Sequence, residues 1–292
     1  MTLTEAPPVT ARAAPAPPRR KRRKPWLVLG VLGVVVLLVL APFLLVLMNA
    51  VKTETEYGAG GPLALPHGLN LHGITSFWTR VDFGQKLLNS TLISGSVAVL
   101  AVVLSVLNAY ALGIGKVRGR KWFLIGFLVA NLVPQESLIY PLYYGAKYVD
   151  LYDTRLAVII IFTAIQSAFG TFLLSSVFSA FPTELLDAAA MDGAGRLRTL
   201  WQVVVPVSRS TIGVLFTFFF VWTWNELFIP LIFLISNDNQ TVPVSLGVLQ
   251  GEKMMDATTT SASALLGIAP AILFFLVFQR TLTRGVMAGA VK

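Results

Sequence analysis

Polar and apolar positions do not alternate finely along this chain; they are segregated into long blocks. Six stretches are predominantly apolar: Trp26–Met48, Leu87–Ile114, Trp122–Tyr143, Leu156–Phe178, Thr211–Ile235 and Ser261–Phe278. Each has at least the ~17 residues that a helix needs to cross a bilayer. The pattern predicts an all-α membrane protein with six transmembrane helices. Residues 1–25 form a basic N-terminal tail, 26–48 the first transmembrane helix and 49–86 a loop. Residues 87–279 form the remaining membrane domain, with a polar loop at 182–209, and 280–292 a C-terminal tail. The third stretch is the least regular, because Asn131, Pro134, Gln135 and Glu136 interrupt it. Gly58, Gly60, Gly61, Pro62 and Pro66 mark the 49–86 loop as irregular, with a short helix near Ile74–Val81.

Composition sharpens this picture. Apolar residues make up 55% of the chain and charged ones 13%, about half the share of a soluble domain. There are no cysteines, so neither a disulfide framework nor a thiolate metal site is available. The two histidines, His67 and His72, share one loop at a spacing that matches no ligand pattern, and no metal or cofactor is expected. The net charge of +9 does not point to nucleic acid, because of where the charge sits. Arg19, Arg20, Lys21, Arg22, Arg23 and Lys24 directly precede the first apolar run, where basic residues mark the cytoplasmic end of a membrane helix and can touch anionic lipid. The Ala- and Pro-rich segment before them cannot bury a core and is expected to be disordered. The run Trp26–Met48 carries no charge over 23 residues, longer than the core of a cleaved signal, and reads as a retained anchor. With the N-terminus inside, 17 of the 23 Lys and Arg residues fall on the cytoplasmic side and 6 outside, which places both termini in the cytoplasm.

On the same side falls a polar segment with more features than a connector needs. Pro182 suits a helix start, and Glu184, Leu185, Leu186, Asp187, Ala188, Ala189, Ala190 and Met191 favour a helix. Asp192 follows, Gly193 permits a turn, and Ala194 leads into a second helix. There Leu197, Leu200, Trp201 and Val204 recur at three- and four-residue intervals as one apolar stripe. Pro206 ends or kinks that helix. By physics alone, two short amphipathic helices of this kind serve equally as a docking loop for a cytoplasmic protein or as interfacial helices on lipid, with Arg196, Arg198 and Arg209 at the headgroups.

The spacing Asp187-Ala188-Ala189, three residues, Gly193, nine more, then Val203-x-Val205-Pro206 resembles the Glu-Ala-Ala loop of bacterial ATP-binding-cassette (ABC) importer permeases, with Asp187 in place of the first Glu. Further stretches are similar to carbohydrate-importer permeases, the branch of the smaller maltose-transporter permease. They are Pro141-Leu142-Tyr143 with Leu151-Tyr152-Asp153-Thr154, Trp224-Asn225-Glu226 with Pro230-Leu231, and the end Arg284-Gly285-Val286-Met287. Asp150 stands where Gly is common in the family. The resemblance spans roughly residues 85–292. It implies the type I ABC importer transmembrane fold and a permease translocating a sugar or oligosaccharide by alternating access. The implied partners are a second permease in a heterodimer, two ATP-binding-cassette ATPase subunits and an extracytoplasmic solute-binding protein. Glu184, Asp187, Ala188, Ala189, Asp192, Gly193, Ala194 and Pro206 would then couple the chain to the ATPase.

Charges inside a bilayer are costly and become default pathway candidates; here these are Glu136 and Glu226, joined by Asn225 and by Trp224, whose ring, like that of Trp222, could stack on a sugar. Asn131, Gln135, Asn108 and Gln166 add polar groups within the spans; Asn108 and Gln166 are the ones expected to join helices to one another. No phosphate-cradling loop is present, since Gly115-Lys116 is followed by Val117, and no catalytic cluster stands out. The chain reads as a permease rather than an enzyme. Import of another solute, such as a polyol or glycerol phosphate, and a non-transporting membrane scaffold remain the alternatives.

Overall fold

The computed structural model describes residues 25–115, 117–251 and 256–290, and among them it contains helices and turns but no strand. The expected N-terminal tail lies, except for Pro25, outside the described residues, as do Lys116 and Lys253. The chain divides into two units, residues 1–44 and 45–292; helix α1 (Pro25–Ala50) runs through the division. The second unit continues with α2 (Glu54–Gly60), α3 (His72–Arg80), α4 (Phe83–Gly113), α5 (Arg120–Leu132), α6 (Ile139–Tyr148) and α7 (Arg155–Ser179). Then follow α8 (Thr183–Met191), α9 (Arg196–Thr199), α10 (Val205–Val207), α11 (Arg209–Asn225), α12 (Phe228–Phe233), α13 (Val242–Gly251) and α14 (Ala257–Ala290). Among the described residues, four helices are long and apolar enough to cross a membrane, and up to six spans result if two bent pairs each count as one.

The first bent pair and a further break after α11 sit where proline chemistry puts them. The expected third span is α5 and α6, bent by 95° around a 3₁₀ turn at Gln135–Leu138. Val133, just before Pro134, is extended (φ −73°, ψ 121°), as the proline ring demands of its predecessor. The expected fifth span does not run unbroken to Ile235. α11 stops at Asn225, Glu226 is extended (φ −75°, ψ 126°) and α12 restarts at Phe228. A continuous helix would drive the Pro230 ring into the Glu226 carbonyl four residues earlier. The second bent pair lies at the other end of the same helix, where α9 and α10 meet α11 at 81°.

Three other boundaries differ from the sequence expectation. The 49–86 loop contains two helices rather than one. The second, α3, covers the expected site; the first is closed by a capping box, with Glu56 N donating to Thr53 Oγ1 (3.1 Å) and Thr53 N to Glu56 Oε2 (3.0 Å). α13 was not expected. The sixth helix begins four residues earlier than Ser261 and continues through residues 280–290, which were expected to form a tail.

The core of the second unit is built on α4 and α7, which lie parallel. Their N-terminal ends meet where Arg155 Nη1 donates to Asn89 Oδ1 (3.0 Å), and their C-terminal ends where Gly113 faces Phe178. Lipid supplies no hydrophobic drive between helices, so close packing through small residues must do so. Ser105 Oγ donates to Ala101 O (2.6 Å) and reaches Ser167 O (3.3 Å) across the seam. Asn108 Nδ2 donates to Thr171 Oγ1 (3.4 Å), and Gln166 Nε2 to Thr223 Oγ1 (2.8 Å) of α11, so these two amides join helices. On its other side α11 meets α14, where the Phe220 and Phe274 rings stack with centroids 3.8 Å apart.

Candidate functional site

At the end of the bundle marked by Gly113 and Phe178, the chain leaves α7 through Ala180–Pro182 and forms α8. This helix ends in a Schellman motif. Gly193 N donates to Ala190 O (3.0 Å) and Ala194 N to Ala189 O (2.9 Å), with Gly193 at φ 70°. That left-handed conformation favours glycine, and the two bonds satisfy carbonyls the helix end would orphan. Gly195 opens the short α9, and Thr199 Oγ1 donates back to Gly195 O (3.2 Å).

The next turn is π-helical, Leu200–Val204, with Val205 N donating to Leu200 O. Pro206, which has no N–H, sits inside α10, and the bend follows at Ser208 rather than at the proline. This geometry corrects the single apolar stripe. Leu200 and Val204 are buried in the core cluster with Phe178 and Phe181, whereas Leu197 and Trp201 are exposed. Met191 is 89% exposed and Leu197 67%. Of the α8 alanines, Ala189 packs inward and Ala188 is exposed. Glu184, Asp187 and Asp192 are exposed and form no ion pair among the described residues. The loop is thus held to the bundle by Leu186, Leu200 and Val204, and presents apolar and acidic groups outward. Met191 carries the largest exposed apolar surface there; its position after Asp187-Ala188-Ala189 was visible in sequence, but its orientation was not.

The four pathway candidates are not brought together. Trp224 is 4% exposed and stacks on Phe220, so its ring faces protein. Asn225 is exposed, with Nδ2 donating to Val221 O (2.8 Å). Glu226 stands at the break after α11 and accepts from Phe228 N through Oε1 (3.1 Å), capping α12. Glu136 is exposed on the 3₁₀ turn between α5 and α6. Beside that turn, Asn131, Gln135 and Trp222 line one cavity of about 350 Å³, walled by α5, α6, α7 and α11.

At the opposite end from the loop, Asn89 forms a polar lock. Its Nδ2 donates to Asp238 O (2.7 Å) and Gln240 O (2.9 Å), while Oδ1 accepts from Arg155 and from Gln85 Nε2 (3.2 Å). The buried Lys86 Nζ donates to Asn237 O, and Ser90 Oγ accepts from Val242 N (2.9 Å). Asp153 holds Ser236 through its N (3.0 Å). The segment 236–242 is therefore tied to α4 and to the start of α7. Sequence reading missed this lock, although polar residues at the mouths of two apolar runs were its signal.

A family model described as "Binding-protein-dependent transport system inner membrane component" matches residues 13–287. The chain is 30% identical over 263 residues to the inner membrane ABC transporter permease protein YcjP of Escherichia coli, covering 89% of this chain and 94% of that one. It is 30% identical over 274 residues to the lactose transport system permease protein LacG of Rhizobium radiobacter (93% and 98% covered). It is 27% identical over 252 residues to the melibiose/raffinose/stachyose import permease protein MelC of Bacillus subtilis (86% and 91%). A chain of a bacterial ABC transporter involved in the import of the acidic polysaccharide alginate superposes with a TM-score of 0.78 over 91% of this chain and 99% of that one, at 20% identity, a likeness of fold.

Proposed function

This chain belongs to the binding-protein-dependent transport system inner membrane components, the permeases of ABC importers, and on that premise we propose that it imports a sugar or oligosaccharide by alternating access. The similar proteins named for lactose and for melibiose, raffinose and stachyose support a carbohydrate substrate. In this reading the chain pairs with a second permease, receives its solute from a binding protein, and draws its work from two ATPase subunits that hydrolyse ATP. Both termini lie in the cytoplasm.

The observation that carries the coupling role is the loop at 182–209. A free-standing loop gains nothing by exposing Met191 and Leu197 beside unpaired Glu184, Asp187 and Asp192. A docked one buries the apolar groups and pairs the charges. Leu200 and Val204 root the loop in the core reached by α4 and α7, so force applied to α8 reaches the membrane helices. Ala188, Ala189, Gly193 and Ala194 give the loop its close approach and turn, and Pro206 sits in the bent connection to α11. Asn225, Glu226 and Glu136 shape the cavity or gate near the helix breaks, while Trp224 supports that region from within.

Co-purification from membranes with the ATPase tests this reading. A Gly193→Pro, Asp187→Arg variant should lose the ATPase while its membrane part keeps its detergent-stable fold. A variant that retains the ATPase would reduce the loop to a connector.

A further inference from the structure

The elbow of the broken span encloses chemistry that neither the coupling role nor the four pathway candidates use. The cavity of about 350 Å³ between α5, α6, α7 and α11 lies at the lower end of the ~300–1,000 Å³ typical of ligand sites. Most of its wall is Ile, Leu, Val and Ala. Three polar side chains break that wall. Asn131 Nδ2 is committed to Phe127 O (2.7 Å), leaving Oδ1 open as an acceptor. Gln135, half-buried, makes no hydrogen bond among the described residues. Trp222 is held edge-on by Phe169 (6.3 Å, 82°) and Phe218 (5.5 Å, 67°), so its ring orientation is set by packing rather than by a ligand.

Asn131 is exposed at the rim, whereas the half-buried amide of Gln135 is costly to leave unpaired unless water or a ligand satisfies it. Amides supply both donors and acceptors, and an indole supplies an apolar face with one N–H. That set matches a molecule with hydroxyls on its rim and C–H groups on its face. No Asp, Glu, Lys, Arg or His lines the cavity; the neighbouring Glu136 is exposed and outside the lining. An anion drawn here would lose its hydration with no countercharge to replace it.

We propose that this cavity is a solute contact of the translocation pathway, with Gln135 and Asn131 bonding hydroxyls and Trp222 stacking on the ring, and that the imported solute is a neutral saccharide rather than an acidic one. This rests on the reading of the chain as a sugar permease. Where a binding protein captures the solute, the concentration dependence of uptake is set there. A lost contact in the permease then lowers the amount of sugar moved per ATP hydrolysed.

The test uses cells carrying the intact importer, fed a mixture of isotope-labelled neutral oligosaccharides and oligouronates, with importer-dependent uptake identified by mass spectrometry. Trp222→Ala and Gln135→Leu are then compared with wild type in the reconstituted complex, with ATPase co-purification and thermal stability as folding controls. The expected result is uptake of neutral sugars alone, and a roughly tenfold fall in sugar per ATP for each variant, with Trp222→Phe close to wild type. Neutral-sugar uptake with unchanged coupling in both variants would overturn the cavity assignment and leave the sugar-permease reading standing. Uptake of oligouronates would overturn the neutral specificity. Uptake of neither class would overturn the sugar reading and this inference with it.

Discussion

Gly170 lies so close to Ser105 that a Cβ on it would stand 2.2 Å from Ser105 Oγ and 2.9 Å from the Phe219 ring. The contact joins α7 to α4 and, through Phe219, to α11. Ser105 has little freedom to retreat, because its hydroxyl is already bonded to Ala101 O. Overpacking a tight site costs about 1–3 kcal/mol. Gly170→Ala should lower the thermal midpoint of the detergent-solubilised protein, and Gly170→Val should lower it further. Gly126, with open space around its Cβ position, is the control, and Gly126→Ala should leave the midpoint unchanged or raised.

Leu197 and Leu200 should behave oppositely despite lying three residues apart. Leu200 is 1% exposed, so Leu200→Ala opens a cavity and should cost about 2–5 kcal/mol of stability. Leu197→Ala should stay within roughly 0.5 kcal/mol of wild type in stability yet weaken retention of the ATPase. Equal melting temperatures for the two variants would contradict the split of the stripe.

Asn89→Ala should release the 236–242 segment. The change leaves the Asp238 and Gln240 carbonyls and one Arg155 donor without their partner; the bonds are part-buried, so each loss costs about 0.5–1.5 kcal/mol. Limited proteolysis should cut within this segment in the variant and spare it in the wild type.

Asp256 ties stability to pH. Burial disfavours its charge, but side-chain and backbone hydrogen bonds from Thr258 and Thr259 outweigh this and hold the carboxyl well below the usual range. Thr258 N and Thr259 N both donate to Oδ1 (2.8 Å each), so the carboxylate caps α14. A depressed folded pKa gives stability that is present above the unfolded value of ~3.9 and is lost as pH falls through the folded one. The cap should therefore persist at neutral pH and weaken only below about pH 4. Asp256→Ala should cost about 1 kcal/mol at pH 7 and flatten the acid limb of a stability-versus-pH curve.

Block length and charge placement in the sequence determined the membrane class, since a run such as Leu156–Phe178 has no other stable home. They determined the approximate positions of α1, α4 and α7. Local chemistry also determined the turn at Gly193, because a left-handed residue between Ala-rich and Leu-containing helices calls for glycine. The capping box of Thr53 and Glu56 was equally legible, and went unread because glycines and prolines nearby suggested loop. Only tertiary structure decided which side of each helix faces protein. Leu197, Leu200, Trp201 and Val204 share a periodicity but not a fate, because a π-turn shifts the register and periodicity cannot say where a neighbouring helix will lie. The same holds for Trp222 and Trp224. Two residues apart, they point to different surroundings, one to the elbow cavity and the other to the Phe220 stack. Asn89 and Asp238 are 149 residues apart in the chain, and hydrogen bonds between such positions exist only once α4, α7 and the 236–242 segment have been brought together.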